Sequence, residues 1–175
     1  MEICRRCGSQ VDNSASACSF CGEIIDDNNW TEVTDSDDVE VLLSTFGGFH
    51  DSCIKELHMW TGHFVDPDLS MRTSGDLDCN VRILCQRQWE NPSAVELWFE
   101  EVTELHVSPS PLNYDSIILE ATLEVNNGSI YWADDGDWSP GGDGNEKVTW
   151  IASRKLRWRD VSSWMGAAMR YGAKK

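Results

Sequence analysis

The amino-terminal stretch carries the residues whose types and spacing are most specific for chemistry. Cys4 and Cys7 have two residues between them, as do Cys18 and Cys21, and ten residues separate the pairs. Four thiolates so spaced can surround one Zn2+ tetrahedrally, at Zn–S distances of about 2.3 Å. Gly8 and Gly22 follow the pairs, where positive φ lets the chain turn its N–H groups towards sulfur. Four cysteine ligands leave no open coordination position, so Cys4, Cys7, Cys18 and Cys21 are expected to hold one structural zinc. Val11, Phe20, Ile24 and Ile25 are too few to hold residues 1–25 by burial, so the metal must supply the folding free energy. A redox role for Cys-x-x-Cys would require a βαβ context that the flanking sequence lacks.

Other candidates are less specific. Phe49-His50-Asp51-Ser52 places a histidine beside an aspartate, a pair able to act as general base or metal ligands. Neighbours on a strand point to opposite faces, so the two converge only at a turn. The plainer reading packs His50 at a strand start and lets Asp51 cap a backbone N–H. Asp134, Asp135, Asp137 and Asp143 share a glycine-rich loop that could bind a hard cation such as calcium. That loop lacks EF-hand order and the terminal bidentate glutamate, and a solvated loop is the simpler account. Together His50, Asp51, Asp134 and Asp135 would make a composite site for a metal-assisted hydrolase, though no spacing rule joins them. His58, His63 and His106 suit surface or satisfied-core roles. Trp98 and Tyr131 fall on faces that the alternation assigns to solvent, and Trp138 sits in the acidic loop. Aromatics ringed by carboxylates suit a protein interface; the alternative is a second layer packed over that face.

The totals narrow the function classes. A chain of 175 residues with 41% hydrophobic content and nine tryptophans can bury a sizeable core. No apolar run is long enough to span a bilayer, and Met1-Glu2-Ile3-Cys4 offers neither a basic n-region nor an apolar h-region. Of seven cysteines, Cys53, Cys79 and Cys85 remain beyond the metal set, an odd number that suggests buried thiols in a reducing cytoplasm. Net charge is −16: residues 1–146 carry 29 acidic and 6 basic side chains, residues 147–175 carry 1 and 8. Such a chain repels phosphate backbones, which argues against a nucleic-acid partner despite Arg5 and Arg6. Solubility is one explanation for the charge, a basic partner protein the other.

The chain divides into a zinc module at 1–25, an acidic linker at 26–37, a β-rich body at 38–160 and a tail at 161–175 that forms a brief helix and frays. Asp37 or Ser36 should cap a short helix through Val39, Leu42 and Leu43, ended by Gly47-Gly48, although Val39-Glu40-Val41 would also suit a strand. Strands are expected from Cys53 to Val65, through Cys79, Val81, Ile83 and Cys85, and through Val95, Leu97 and Phe99. A phase slip at Glu100-Glu101 suggests a bulge or a break. Ile117, Leu119, Ala121, Leu123 and Val125 read as one strand, turned by Asn127-Gly128 into Ile130-Tyr131-Trp132. The last strand puts Val148, Trp150, Ala152, Leu156 and Trp158 inward. Its other face carries Lys147, Lys155, Arg157 and Arg159, to be neutralised by glutamates of neighbouring strands. The fold class is mainly β: an antiparallel sheet curled into a sandwich or half-barrel, one short helix and a small zinc module.

Residues 1–25 resemble the short zinc ribbons at the front of many bacterial proteins. The run from Phe46 to His58, with Arg87-Gln88-Trp89-Glu90-Asn91-Pro92 and Tyr131-Trp132-Ala133-Asp134-Asp135, resembles bacterial β-rich domains that open on Phe-His-Asp. Similar openings occur in some immunity proteins of polymorphic toxin systems, which are acidic and bind a toxin rather than catalyse. The resemblance implies a non-catalytic protein-binding module with no catalytic residues to carry over. A metal-assisted hydrolase is the alternative, and a nucleic-acid adaptor a further one.

Overall fold

The computed structural model describes residues 2–3, 10–11, 29–108, 115–143 and 145–171. Cys4, Cys7, Cys18 and Cys21 lie outside them. Beside those cysteines in sequence, β1 (Glu2–Ile3) pairs antiparallel with β2 (Gln10–Val11). The body holds β3 (Thr31–Val33), α1 (Ser36–Thr45), β4 (Ser52–Trp60), β5 (Phe64–Val65), β6 (Met71–Arg72), β7 (Asn80–Arg87) and β8 (Ala94–His106). It continues with β9 (Ile117–Ile118), β10 (Thr122–Asn126), β11 (Ser129–Ala133) and β12 (Trp150–Asp160). One antiparallel sheet runs β10-β11-β12-β8-β7-β4-β9 and curls into a half-barrel around α1. β3 pairs with the far end of β12, beyond β11. Among the described residues, no helix is long and apolar enough to cross a membrane.

Local chemistry explains the helix. Asp35, one residue earlier than expected, is its N-cap, accepting from the N–H groups of Asp37 and Asp38 at 3.0 and 3.1 Å. Asp38 in turn accepts from the Thr34 N–H and hydroxyl at 2.8 and 2.7 Å; these bonds hold its carboxyl below the usual range. Val39, Leu42 and Phe46 turn inward to meet Val81, Ile83, Leu97, Phe99 and Trp132. The helix stops where Gly47, Gly48 and Phe49 take successive positive φ of 58°, 63° and 65°. Gly47 is required there, since a Cβ would stand 2.5 Å from Nη1 of Arg87, whose side chain is itself packed in place. Phe49 accepts an unfavourable backbone because its ring is fully buried, edge-on to Phe46 and Trp132 at 5.0 and 5.8 Å.

Several sequence expectations are corrected. The acidic linker belongs to the body from Thr31: Val33 is buried in the core, and β3 registers Val33 on Leu156. The strand expected to run on to Val65 ends at Trp60, and Phe64–Val65 pairs with Met71–Arg72 in a separate hairpin. Ile117–Leu119 does not extend β10. Ile117–Ile118 pairs with β4 at the far edge, Ile118 rather than Ile117 faces the core, and Ala121 N–H donates to Gly48 O at 3.0 Å. On β12 the register shifts at Ala152/Ser153, so Ile151 points inward before the shift and Leu156 and Trp158 after it. That shift faces the phase slip read near Glu101, which has φ 53°; β8 is one bulged strand, not two. Residues 161–171 do not fray: Trp164 is buried, and the Arg170 and Tyr171 N–H groups donate to the Glu56 carboxylate at 2.6 and 2.9 Å.

Candidate functional site

The enzyme-like residues are dispersed and already engaged. Phe-His-Asp forms the turn between α1 and β4. Phe49 anchors it, His50 is exposed, and Asp51 has φ 55° with its carboxylate 3.4 Å from His50 Nδ1. Asp134 caps the entry to β12 instead, its Oδ1 accepting from Thr149 N–H at 2.8 Å. Asp135 Oδ1 accepts from Asp137 N–H at 2.8 Å, and Asp135 O from the Thr122 hydroxyl at 2.8 Å. The acidic loop thus folds on its own amides rather than opening towards a cation. It borders a cleft of about 480 Å3 that carries Asp115, Asp134, Asp135, Asp137, Asp143 and Lys147 but neither His50 nor Asp51. Among the described residues no group of three or more His, Cys, Asp or Glu side chains is placed to hold a metal ion. The composite site of His50, Asp51, Asp134 and Asp135 is therefore not assembled.

Burial pushes the Asp134 carboxyl up, against the lowering effect of its bonds from Thr149. The folded state then keeps the Asp134 proton to higher pH than the unfolded chain. Any stability this group contributes is full below the ordinary carboxylate value and is lost as pH rises through the raised one. Asp134→Asn keeps the acceptor for Thr149 and removes the buried charge. Chemical denaturation should show this variant gaining stability at neutral pH, with the gain vanishing below about pH 4.

The aromatics proposed as an interface are largely covered by the chain itself. Trp138 is buried, tilted against Tyr131 at 5.9 Å and Trp150 at 5.4 Å, because the loop after β11 folds back over that face. Tyr131 is half-buried beneath it. Trp98 is half-buried between the guanidinium groups of Arg157 at 3.7 Å and Arg82 at 4.2 Å. Trp30 and Trp60 flank it at 5.4 and 5.9 Å, and its indole N–H donates to Asn80 Oδ1 at 3.2 Å. For Trp98 and Trp138, then, a second layer covers the face.

That layer is built around charge. Lys155 meets Glu101 at 2.5 Å, Arg157 meets Glu100 at 3.2 Å and Arg159 meets Glu96 at 2.5 Å, which is the cross-strand neutralisation expected from the alternation. Glu96 is fully buried, and it also accepts from the Tyr171 hydroxyl at 3.0 Å and lies 3.6 Å from Arg82. Burial, and then the Glu96 charge, pushes the Tyr171 phenol far up and keeps it a neutral donor. Trp30 lies over Arg159 at 4.3 Å, with Trp164 on the same guanidinium at 5.4 Å. The alternation pointed to the arginine–glutamate pairs; the parts played by Trp30, Trp164 and Tyr171 had no local signal.

Several large apolar side chains remain exposed. Leu69 and Trp89 are each 85% exposed, and Leu77 is 46% exposed. All three sit on left-handed backbone, at φ 69°, 74° and 55°. Phe64, Val65 and Met71 are exposed beside Leu69 on the β5–β6 hairpin. Leu69, Leu77 and Trp89 carry no alternation signal because they lie in short connecting segments, whereas Phe64 and Val65 end the strand expected from Cys53.

No protein-family model, curated protein or solved structure matches the chain.

Proposed function

We propose that this protein is a non-catalytic binding module for another protein, carrying one structural zinc ribbon. The observation that carries the reading is the trio Leu69, Leu77 and Trp89, large apolar side chains held out on left-handed backbone. Such a conformation costs a non-glycine residue about 1 kcal/mol or more, and exposed side chains return nothing to the fold. A protein interface is where that outlay has a use. The acidic balance favours a basic partner, and the cysteine usage fits a cytoplasmic setting.

Cys4, Cys7, Cys18 and Cys21 would hold the zinc. Support comes from the donor set and from the β1–β2 pairing, whose Ile3↔Gln10 partners bracket Cys4 and Cys7 in sequence. The ion would tie two turns together in a stretch too poor in apolar residues to fold without it. Elemental analysis of the whole protein should find one zinc per chain, and Cys18→Ser should lose it while the body keeps its unfolding transition. Zinc retained by Cys18→Ser would overturn the ribbon. For the binding role, photo-crosslinking residues at position 69, beyond the Asn80 end of β7, and at position 89, beyond its Arg87 end, should each capture a basic protein in the cells that make this chain. Position 155, where Lys155 is engaged with Glu101, should capture none. No adduct at positions 89 and 69 would overturn the reading.

A further inference from the structure

We infer that the β5–β6 hairpin is the docking surface and that its partner is a cationic amphipathic segment. This rests on the binding-module reading and gives it a place and a chemistry. Residues 61–79 leave the sheet after Trp60 and rejoin it at Asn80. Within them β5 and β6 expose every side chain: Val65 stands opposite Met71, and Phe64 opposite Arg72. Leu69 tips the turn, which is closed by Leu69 N–H donating to Asp66 O at 2.8 Å and Asp66 N–H to Ser70 O at 2.9 Å. A two-stranded ribbon with both faces in water has no core of its own to form. Val65 and Met71 share one face and, with Leu69 at the turn, make an apolar surface that the rest of the described body leaves uncovered, while Phe64 and Arg72 take the other face.

Charge says what covers it. Four aspartates and one arginine leave residues 61–79 at −3. Asp66 is committed to Arg72, and Asp78 to Gly62 N–H at 2.9 Å with His63 at 3.4 Å. Asp68 accepts from the Ser70 hydroxyl and N–H, bonds that hold its carboxyl below the usual range and keep it anionic. Exposed and next to Leu69 in the turn, it sets negative charge at the rim of the apolar tip. An apolar tip with an acidic rim complements a segment with one apolar face and lysines or arginines beside it. Met71, beside Val65 on the exposed face, suits an adaptable contact. The same rim repels an anionic membrane surface.

Leu69→Gly gives a clean test, because glycine accepts φ 69° without strain and the exposed leucine makes no core contact. The variant should unfold at the same temperature as the parent or higher. A fluorescent leucine–lysine peptide that forms an amphipathic helix should bind the full-length protein saturably. Leu69→Gly or Met71→Ser should weaken that binding at least tenfold. Added salt or Asp68→Asn should weaken it less, and a leucine–glutamate peptide should not bind. Peptide binding indifferent to both apolar variants overturns the hairpin as the site while leaving an adduct at position 89 to support the wider reading. Equal binding of the acidic peptide, or binding only to anionic vesicles, overturns the cationic partner. A dimer in sedimentation that Leu69→Gly dissociates assigns the surface to a second copy and overturns it too. So does peptide binding that appears only in Cys18→Ser, which would mean that the amino-terminal residues cover the hairpin.

Discussion

Glu96→Ala is expected to destabilise the fold by about 3–5 kcal/mol, the range seen when one partner of a buried ion pair is removed. Glu96 is fully buried, and so, within a few per cent, is its partner Arg159, which donates through Nε at 2.8 Å. Truncation would strand that guanidinium under Trp30, together with a Tyr171 hydroxyl left without its acceptor. It would also remove the charge facing Arg82. Replacing both partners by methionine should cost less than the single change, since no guanidinium is left stranded under Trp30, although Tyr171 still loses its acceptor. Glu96→Met, Arg159→Met and the double variant, compared by urea denaturation, give the coupling directly. A loss below about 1 kcal/mol for Glu96→Ala would mean that water reaches the pair and that the layer is a surface feature.

This layer also marks where the sequence was legible. Alternation on β7, β8 and β12 put arginine opposite glutamate, and the Asn127-Gly128 turn appears with φ 51° and 75° as read. Local patterning sufficed because each signal concerned neighbours on one strand or one turn. It failed where a distant partner decided. Trp30 and Val33 stand in a run dominated by aspartate and asparagine, and distant strands give them a reason to be ordered: β12 for Val33, and Trp98 and Arg159 for Trp30. Trp164 and Tyr171 look like a fraying tail until Gln86 donates to Trp164 O at 3.0 Å and Glu56 and Glu96 take up Tyr171. The run from Ile117 to Val125 alternates well enough for one strand, yet period-two patterning does not say which edge of the sheet each half joins. For the pair His50-Asp51, the plainer reading of a structural role at the strand start is the one that the turn geometry favours. The pair's identity suggested chemistry, whereas its backbone is a turn fixed by the buried Phe49 next to it.

Trp132 sets the second large effect. It is the largest fully buried side chain, on β11 against the edge of Phe49 at 5.8 Å, and it links the helix-ending turn to the sheet. Trp132→Ala should cost about 3–5 kcal/mol, because the transfer free energy of the ring is lost and the cavity left beside Phe49 collapses only partly. Trp132→Phe opposes two terms. It gives up part of the ring's burial, yet it also removes an indole N–H that is buried and finds no acceptor among the described residues. An unsatisfied buried donor carries a penalty of about 1–3 kcal/mol, so the phenylalanine variant should lie within about 1 kcal/mol of the parent. Urea melts of the two variants separate ring volume from the orphan donor. If phenylalanine proves nearly as damaging as alanine, volume alone rules this site and the N–H is satisfied, by a buried water for instance. If it matches the parent, relief of the orphan donor offsets the ring burial given up between β11 and the α1–β4 turn.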